Sequence, residues 1–256
     1  MKKTPDLIKQ MKGKEKIAML TAYDYSAAKY EDECGIDIIL IGDSLGMVVL
    51  GYDNVLSVTL DDMQRHVGAV ARGAKNACIV ADMPIGTFDK KEDAILNAES
   101  LMRLGADCVK IEKRPDIAAF LVENGIPVMG HVGLTPQTVT DFKVQGKNEE
   151  SAQKIIDEAI ELDKAGCFTI VLECVPNHLA KKITDSVSMP TIGIGAGIEC
   201  DGQVLVANDM LGIYDKFSPK FVKKYAQIGQ EMKKAFSEYV SEVKHKKFPE
   251  DKHSFH

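Results

Sequence analysis

Short runs that are apolar on both faces alternate with longer amphipathic stretches along almost the whole chain, and this alternation restricts the fold more than any other feature. IDIILIGDS at 36–44 has no polar alternation at all over its first half, so both of its faces must be covered. Strands buried on both faces belong to parallel sheets flanked by helices. KIAMLTAY (16–23), ACIVADMP (77–84), CVKIE (108–112), IPVMGHVG (126–133), CFTIVLECV (167–175) and PTIGIGAG (190–197) repeat the pattern, and QVLVAND (203–209) is a weaker eighth run. Between them, Lys90–Gly105 places Ala94, Ile95, Ala98, Leu101 and Met102 on one stripe. Glu149–Gly166 does the same with Ala152, Ile155, Ile156, Ala159 and Leu162. This is helical spacing. Thr59 ahead of LDDMQRH has the hydroxyl and the nearby carboxylates that a helix start requires.

Eight strands alternating with helices in 256 residues predict an α/β chain with a (β/α)8 TIM-barrel fold, one catalytic domain over 1–248. A long C-terminal helix is expected from Pro219, with Phe221, Tyr225, Ile228, Met232, Phe236 and Tyr239 as its stripe, and a frayed polar tail over 249–256. An open dinucleotide-binding sheet is disfavoured because the one glycine-rich run, GIGAG at 193–197, lacks the GxGxxG spacing and stands late in the chain. A plain tight turn is the leading reading of GIGAG, ahead of a phosphate nest.

Charge and cysteine use exclude several classes. With 32 basic against 38 acidic residues, the net charge of −6 gives no general attraction to nucleic acid or to anionic membranes. No run approaches the roughly 18 apolar residues of a membrane span, and MKKTPDLIKQMKGKEK lacks the apolar core of a signal peptide, so a cytoplasmic location is expected. The six cysteines form no CxxC pair and the six histidines no HxxxH pair, which argues against a disulfide framework and a zinc site.

Polar residues collect where the strands end. Asp43, Asp82, Glu112, His131 and Glu173 all fall near a strand's C-terminal end, and in a barrel those ends form the rim on which substrates bind. Three carboxylates gathered there repel one another unless one takes a proton or a divalent cation neutralises them. Oxygen-only ligation points to Mg2+ or Mn2+; the alternative is that each carboxylate caps a helix. Lys110 and Glu112 share a strand face, so Lys110 either neutralises Glu112 or holds a substrate's carboxylate. Ser44 is either a hydroxyl or amide donor to the same ligand or an ordinary loop residue. His131 lies in GHVG, with glycine directly before it and again two residues on, which suits close approach by a ligand, against the reading of a satisfied core histidine. Glu173 follows an apolar run whose desolvation should raise its pKa and ready it to accept a proton; an ion pair with a neighbouring cation is the alternative. Cys174 beside it has the opposite strand parity, which turns it away.

TAYDYSAAKYEDECGIDIILIGDSLGMVVLGYD, VTLDDMQRH, ADMPIGTF, VKIE, GHVGLTPQ, FKVQGK, LECVP, IGIGAGIECDGQVLV and NDMLGI occur in that order, and together they resemble the ketopantoate hydroxymethyltransferase family from about Lys16 to Tyr225. The resemblance implies a barrel enzyme of pantothenate biosynthesis. It would use one Mg2+ per subunit and transfer a hydroxymethyl group from 5,10-methylenetetrahydrofolate to 3-methyl-2-oxobutanoate, giving 2-dehydropantoate. It also implies a homo-oligomer, a decamer of two pentamers. Carried over by motif, Asp43 and Asp82 match the metal and ketoacid positions, Glu112 completes the metal surroundings, and Glu173 matches the proton acceptor. Ser44, Lys110 and His131 match the ketoacid contacts. Two departures stand out: TVTDF at 138–142 joins GLTPQ to KVQG without the family's longer glycine-containing segment, and Asn208 stands where histidine is common.

Two other classes compete. A metal-dependent lyase of the phosphoenolpyruvate mutase and isocitrate lyase type also gathers carboxylates and Mg2+ around a 2-oxo acid, but the KKCGH-like loop of such enzymes follows none of the strands. A binding or scaffold protein has no need of an acidic site with a poised Glu173.

Overall fold

The computed structural model describes residues 2–138 and 143–256. Eight parallel strands close into a barrel in sequence order: β1 (Ile17–Thr21), β2 (Ile38–Ile41), β3 (Cys78–Asp82), β4 (Cys108–Lys110), β5 (Val128–Gly133), β6 (Thr169–Glu173), β7 (Thr191–Ile194) and β8 (Gly202–Leu205). Closure is made by β1 against β8, with Ile17 opposite Gly202 and Met19 opposite Val204. The helices are α1 (Pro5–Gln10), α2 (Tyr25–Glu33), the single turn α3 (Leu45–Val48), α4 (Leu60–Gly73), α5 (Lys91–Arg103), α6 (Pro115–Glu123), α7 (Glu149–Lys164), α8 (Asn177–Ser186), α9 (Ala207–Met210) and α10 (Ile228–Lys244). Among the described residues, no helix is long and apolar enough to cross a membrane.

Strand parity divides the barrel's apolar residues into two clusters. Ile39, Ile41, Ile79, Ala81, Val109, Val132, Ile170 and Leu172 face outward and pack with helix residues such as Met63, Val67 and Val70 of α4 and Ala94, Ala98 and Leu101 of α5. Each large side chain buried in this way contributes about 1.5–3 kcal/mol. Met19, Ile38, Leu40, Cys78, Val80, Cys108, Met129, Val171, Ile192 and Val204 fill the interior. Ile8 and Met11, on and just after α1, join that interior cluster beside Ile17 and Phe168. Thr59 starts α4 as its spacing predicts: its hydroxyl accepts from the Asp62 amide while the Asp62 carboxylate accepts from the Thr59 amide.

Residue contacts divide the chain into two units, Met1–Val206 and Ala207–His256. In the second, the helix expected from Pro219 begins only at Ile228. The Tyr225 and Ala226 amides donate to Met210 O, and those of Ile228 and Gly229 to Leu211 O and Gly212 O. A helix running from Pro219 would need the Tyr225 and Ala226 amides to bond back to residues 221 and 222, but both are taken by Met210 O, so Phe221 and Tyr225 of the expected stripe lie outside α10. The Phe248 ring packs edge-on to Tyr239, with centroids 5.8 Å apart, and residues 251–253 form a 3₁₀ turn.

Candidate active site

The ends of β2 to β6 deliver the predicted residues to one place. Asp82 and Lys110 face each other across the β3–β4 register, and Lys110 Nζ lies 2.5 Å from Asp82 Oδ1. The other Asp82 oxygen accepts from the Asp43 amide at 3.0 Å. Gln137 Nε2 donates to Asp43 Oδ2 at 2.8 Å, and the Gln137 backbone amide donates to Glu112 Oε2 at 3.2 Å. His131 Nδ1 stands 3.5 Å from Glu112 Oε1, and its Nε2 stands 3.2 Å from Glu173 Oε2. One continuous polar chain therefore runs Lys110, Asp82, Asp43, Gln137, Glu112, His131, Glu173. All but Glu173 are buried. Ser44 stands beside it, its hydroxyl 2.9 Å from that of Tyr23.

Local backbone explains these placements. Lys110, His131 and Glu173 follow the interior parity of their strands, and Glu112 is held beyond β4 because the Ile111 and Lys113 amides still donate to Met129 O and His131 O. Asp43 lies past the end of β2, in the turn that enters α3, so strand parity does not govern it. A Cβ on Gly42 would come within 2.8 Å of Ser44 Oγ, so glycine here leaves room for the Ser44 hydroxyl where it stands.

Charge is unevenly balanced in this chain. Burial, followed by the neighbouring Asp82, pushes the Asp43 carboxyl up to about 7 despite the opposing Lys110. Burial works against a charge on Lys110, but Asp82, Asp43 and Glu112 together raise it above the ordinary lysine range. His131 is likewise opposed by burial and by Lys110, yet its two carboxylate neighbours carry it up to about 9, so it is an imidazolium at neutral pH.

Some expectations are corrected and others hold. Lys110 pairs with Asp82 rather than Glu112, because the parallel register sets those two side by side while Glu112 lies beyond the end of β4. The glycines around His131 serve packing. A Cβ at Gly130 would press on Leu162, and one at Gly133, whose φ is +95°, would come within 2.3 Å of Glu173 O. The surroundings of Glu173 are not purely apolar, since His131 faces it. Cys174 is no ready nucleophile, its thiol being pushed up to about 12 by burial and by Glu173. GIGAG makes a turn, with φ +64° at Gly195 and +90° at Gly197, and Gly197 O accepts from Gln203 Nε2. The join at 138–142 lies, apart from Thr138, outside the described residues, and Asn208 lies in α9 of the second unit.

Sequence reasoning missed Tyr23 and Gln137. Tyr23 closes the run KIAMLTAY, so the strand-end rule that found the carboxylates applies to it equally. Gln137 comes four residues after β5 ends, where no periodicity operates.

The donor set suits a hard divalent cation. It consists of carboxylate oxygens in excess of nearby cations, and burial together with Asp82 pushes the Asp43 carboxyl up to about 7. Among the described residues, no three of His, Cys, Asp and Glu form a ready metal cage. Magnesium does not need one, since it is usually bound by one or two carboxylates together with water and substrate oxygens.

Known proteins agree on the family. A sequence model of ketopantoate hydroxymethyltransferase matches residues 2–251. The 3-methyl-2-oxobutanoate hydroxymethyltransferase of Syntrophus aciditrophicus (strain SB) is 52% identical over 261 residues, covering 98% of this chain and 96% of that protein. The protein of the same name from Heliobacterium modesticaldum (strain ATCC 51547 / Ice1) is 54% identical over 257 residues, covering 96% and 93%. Among solved structures, phosphonopyruvate hydrolase in complex with oxalate and Mg2+ superposes with a TM-score of 0.65 at 10% identity, covering 100% of this chain and 92% of that one. The 2,3-dimethylmalate lyase of the PEP mutase/isocitrate lyase superfamily gives 0.61 at 14%, covering 100% and 92%. At such identities the two structures attest the barrel fold alone. The relatives decide the family: the chain belongs to the ketopantoate hydroxymethyltransferases, and is a transferase.

Proposed function

We propose that the chain transfers a one-carbon unit from 5,10-methylenetetrahydrofolate to C3 of 3-methyl-2-oxobutanoate, giving 2-dehydropantoate and tetrahydrofolate, as a step of pantothenate biosynthesis. The relatives' printed name supports the acceptor. The observation that carries the residue roles is the continuous chain from Lys110 to Glu173, which sets a cationic anchor and an acidic cluster at one end and a partly exposed carboxylate at the other.

Lys110 anchors the ketoacid's carboxylate, and Ser44, held by the Tyr23 hydroxyl, donates to the same group. When bound, a Mg2+ ion held by Asp43 and Asp82, with Glu112 completing its surroundings, supplies Lewis-acid polarisation of the 2-oxo group. Glu173 takes the proton from C3, and the electron pair left behind forms the new C–C bond to the folate's methylene carbon, whose two C–N bonds break over the reaction while the C3 proton and one proton of water end on the two folate nitrogens. Water supplies the hydroxyl oxygen. His131, cationic between Glu112 and Glu173, orients both carboxylates and limits the repulsion between them.

The direct test incubates the purified protein with 3-methyl-2-oxobutanoate, 5,10-methylenetetrahydrofolate and MgCl2, and measures 2-dehydropantoate. Formation that depends on both the folate and the metal supports the reading. A folded protein that forms none contradicts it.

A further inference from the structure

Gln137 holds two of the acidic residues at once, Asp43 with its side chain and Glu112 with its backbone. It is 5% exposed, and it reaches three strand ends from the turn after a fourth. Its Nε2 donates both hydrogens, one to Asp43 Oδ2 at 2.8 Å beyond β2 and one to Met83 O at 3.0 Å beyond β3. Its backbone amide donates to Glu112 Oε2 at 3.2 Å beyond β4.

These contacts determine which way the amide faces. Met83 O is a pure acceptor, so only the NH2 edge can meet it, and Asp43 Oδ2 accepts from the same group. Oε1 then has no hydrogen-bond partner among the described residues, although it is buried. An unsatisfied buried acceptor is unfavourable, and such groups persist where function requires them. A lysine here would deliver a charge that competes with a cation, and a glutamate would add a fourth negative group. The neutral amide instead fixes the carboxylates and leaves their charge for a ligand.

We propose that Gln137 is a positioning residue for the divalent-cation site. By holding Asp43 with its side chain and Glu112 with its backbone, it fixes the two carboxylates relative to each other before the cation arrives. This rests on the functional reading above. The lever resembles the outer hydrogen bonds of metal sites in general, whose loss weakens affinity by about 10- to 100-fold.

The test compares wild type, Gln137→Met and Gln137→Asn by titration calorimetry with MgCl2 alone, with circular dichroism to verify folding. Kinetics then give the MgCl2 concentration for half-maximal rate and the kcat at saturating MgCl2. Gln137→Met keeps the length without the donors, and the expected result is about 10- to 100-fold weaker Mg2+ binding with the half-activation concentration raised to match. Extra MgCl2 should recover most of the lost rate, a pattern that a loss of packing would not produce. Gln137→Asn keeps the amide on a shorter stem and should fall between the two; it carries the test if Gln137→Met does not fold. Mg2+ affinity equal to wild type in a folded variant overturns the proposal. Wild type that itself binds no Mg2+ overturns the metal role as well, so the two failures are distinct.

Discussion

Nε2 of His131 stands 3.2 Å from Oε2 of Glu173, and this contact joins the acidic half of the site to the only member of the polar chain that is not fully buried. Because His131 is held in its charged form up to about pH 9, Glu173 faces a fixed cation throughout the neutral range.

Glu173→Gln keeps the size and hydrogen-bonding capacity of the side chain but removes its basicity. The expected outcome is binding of Mg2+ and ketoacid close to wild type by calorimetry, with turnover lowered by about 10²- to 10⁴-fold.

Asp43 and Asp82 should differ in stability although both weaken Mg2+ binding when changed. Asp82→Ala leaves Lys110 buried without its nearest counter-charge, and a broken buried pair costs about 3–5 kcal/mol. Asp43→Asn removes a carboxyl that burial and Asp82 already disfavour as an anion, so its metal-free stability should equal or exceed wild type at pH 8. Urea denaturation in EDTA checks both.

Lys110→Met should raise the ketoacid KM more than it lowers kcat, since a contact to the substrate's carboxylate is present in ground and transition states alike. Steady-state kinetics at saturating MgCl2 checks this, and a fall in kcat with unchanged KM would assign Lys110 to the reacting carbonyl instead.

Glu31, away from the site on α2, predicts a pH dependence of stability. Burial, followed by the charge of Asp24, raises its pKa from 4.5 to about 8, and its Oε2 has no hydrogen-bond partner among the described residues. The folded state therefore binds more protons than the unfolded state between those values, so stability falls as pH rises from about 4.5 to about 8. Glu31→Gln should match wild type near pH 4.5 and exceed it by on the order of 2 kcal/mol at pH 8.5. Equal melting temperatures at pH 8.5 would contradict this.

The barrel was legible because apolar runs two-sided in character admit few other arrangements, and β2, with all four of its residues buried, is the clearest case. The site was legible to the extent that strand ends govern it: Asp82, Lys110, His131 and Glu173 are interior positions at or near the ends of their strands. Pair identities were not legible. Lys110 meets Asp82 rather than Glu112 because register, a property of two strands together, decides which side chains share a level. Gln137 was hidden for a similar reason, since its three partners come from segments far apart in sequence. The start of α10 at Ile228 depends on the Met210 carbonyl, which captures the Tyr225 and Ala226 amides, and a stripe of apolar residues cannot reveal that.

The central claim is that this site removes the C3 proton of a 2-oxo acid, and proton exchange tests it without the second substrate. The measurement is the rate at which 3-methyl-2-oxobutanoate gains deuterium at C3 in D2O, followed by NMR, with MgCl2 and no folate, for wild type and Glu173→Gln. The account predicts enzyme-catalysed exchange by wild type that is lost in EDTA and lowered by about 10²- to 10⁴-fold in the variant. Exchange at the wild-type rate in Glu173→Gln would contradict it and place the base elsewhere.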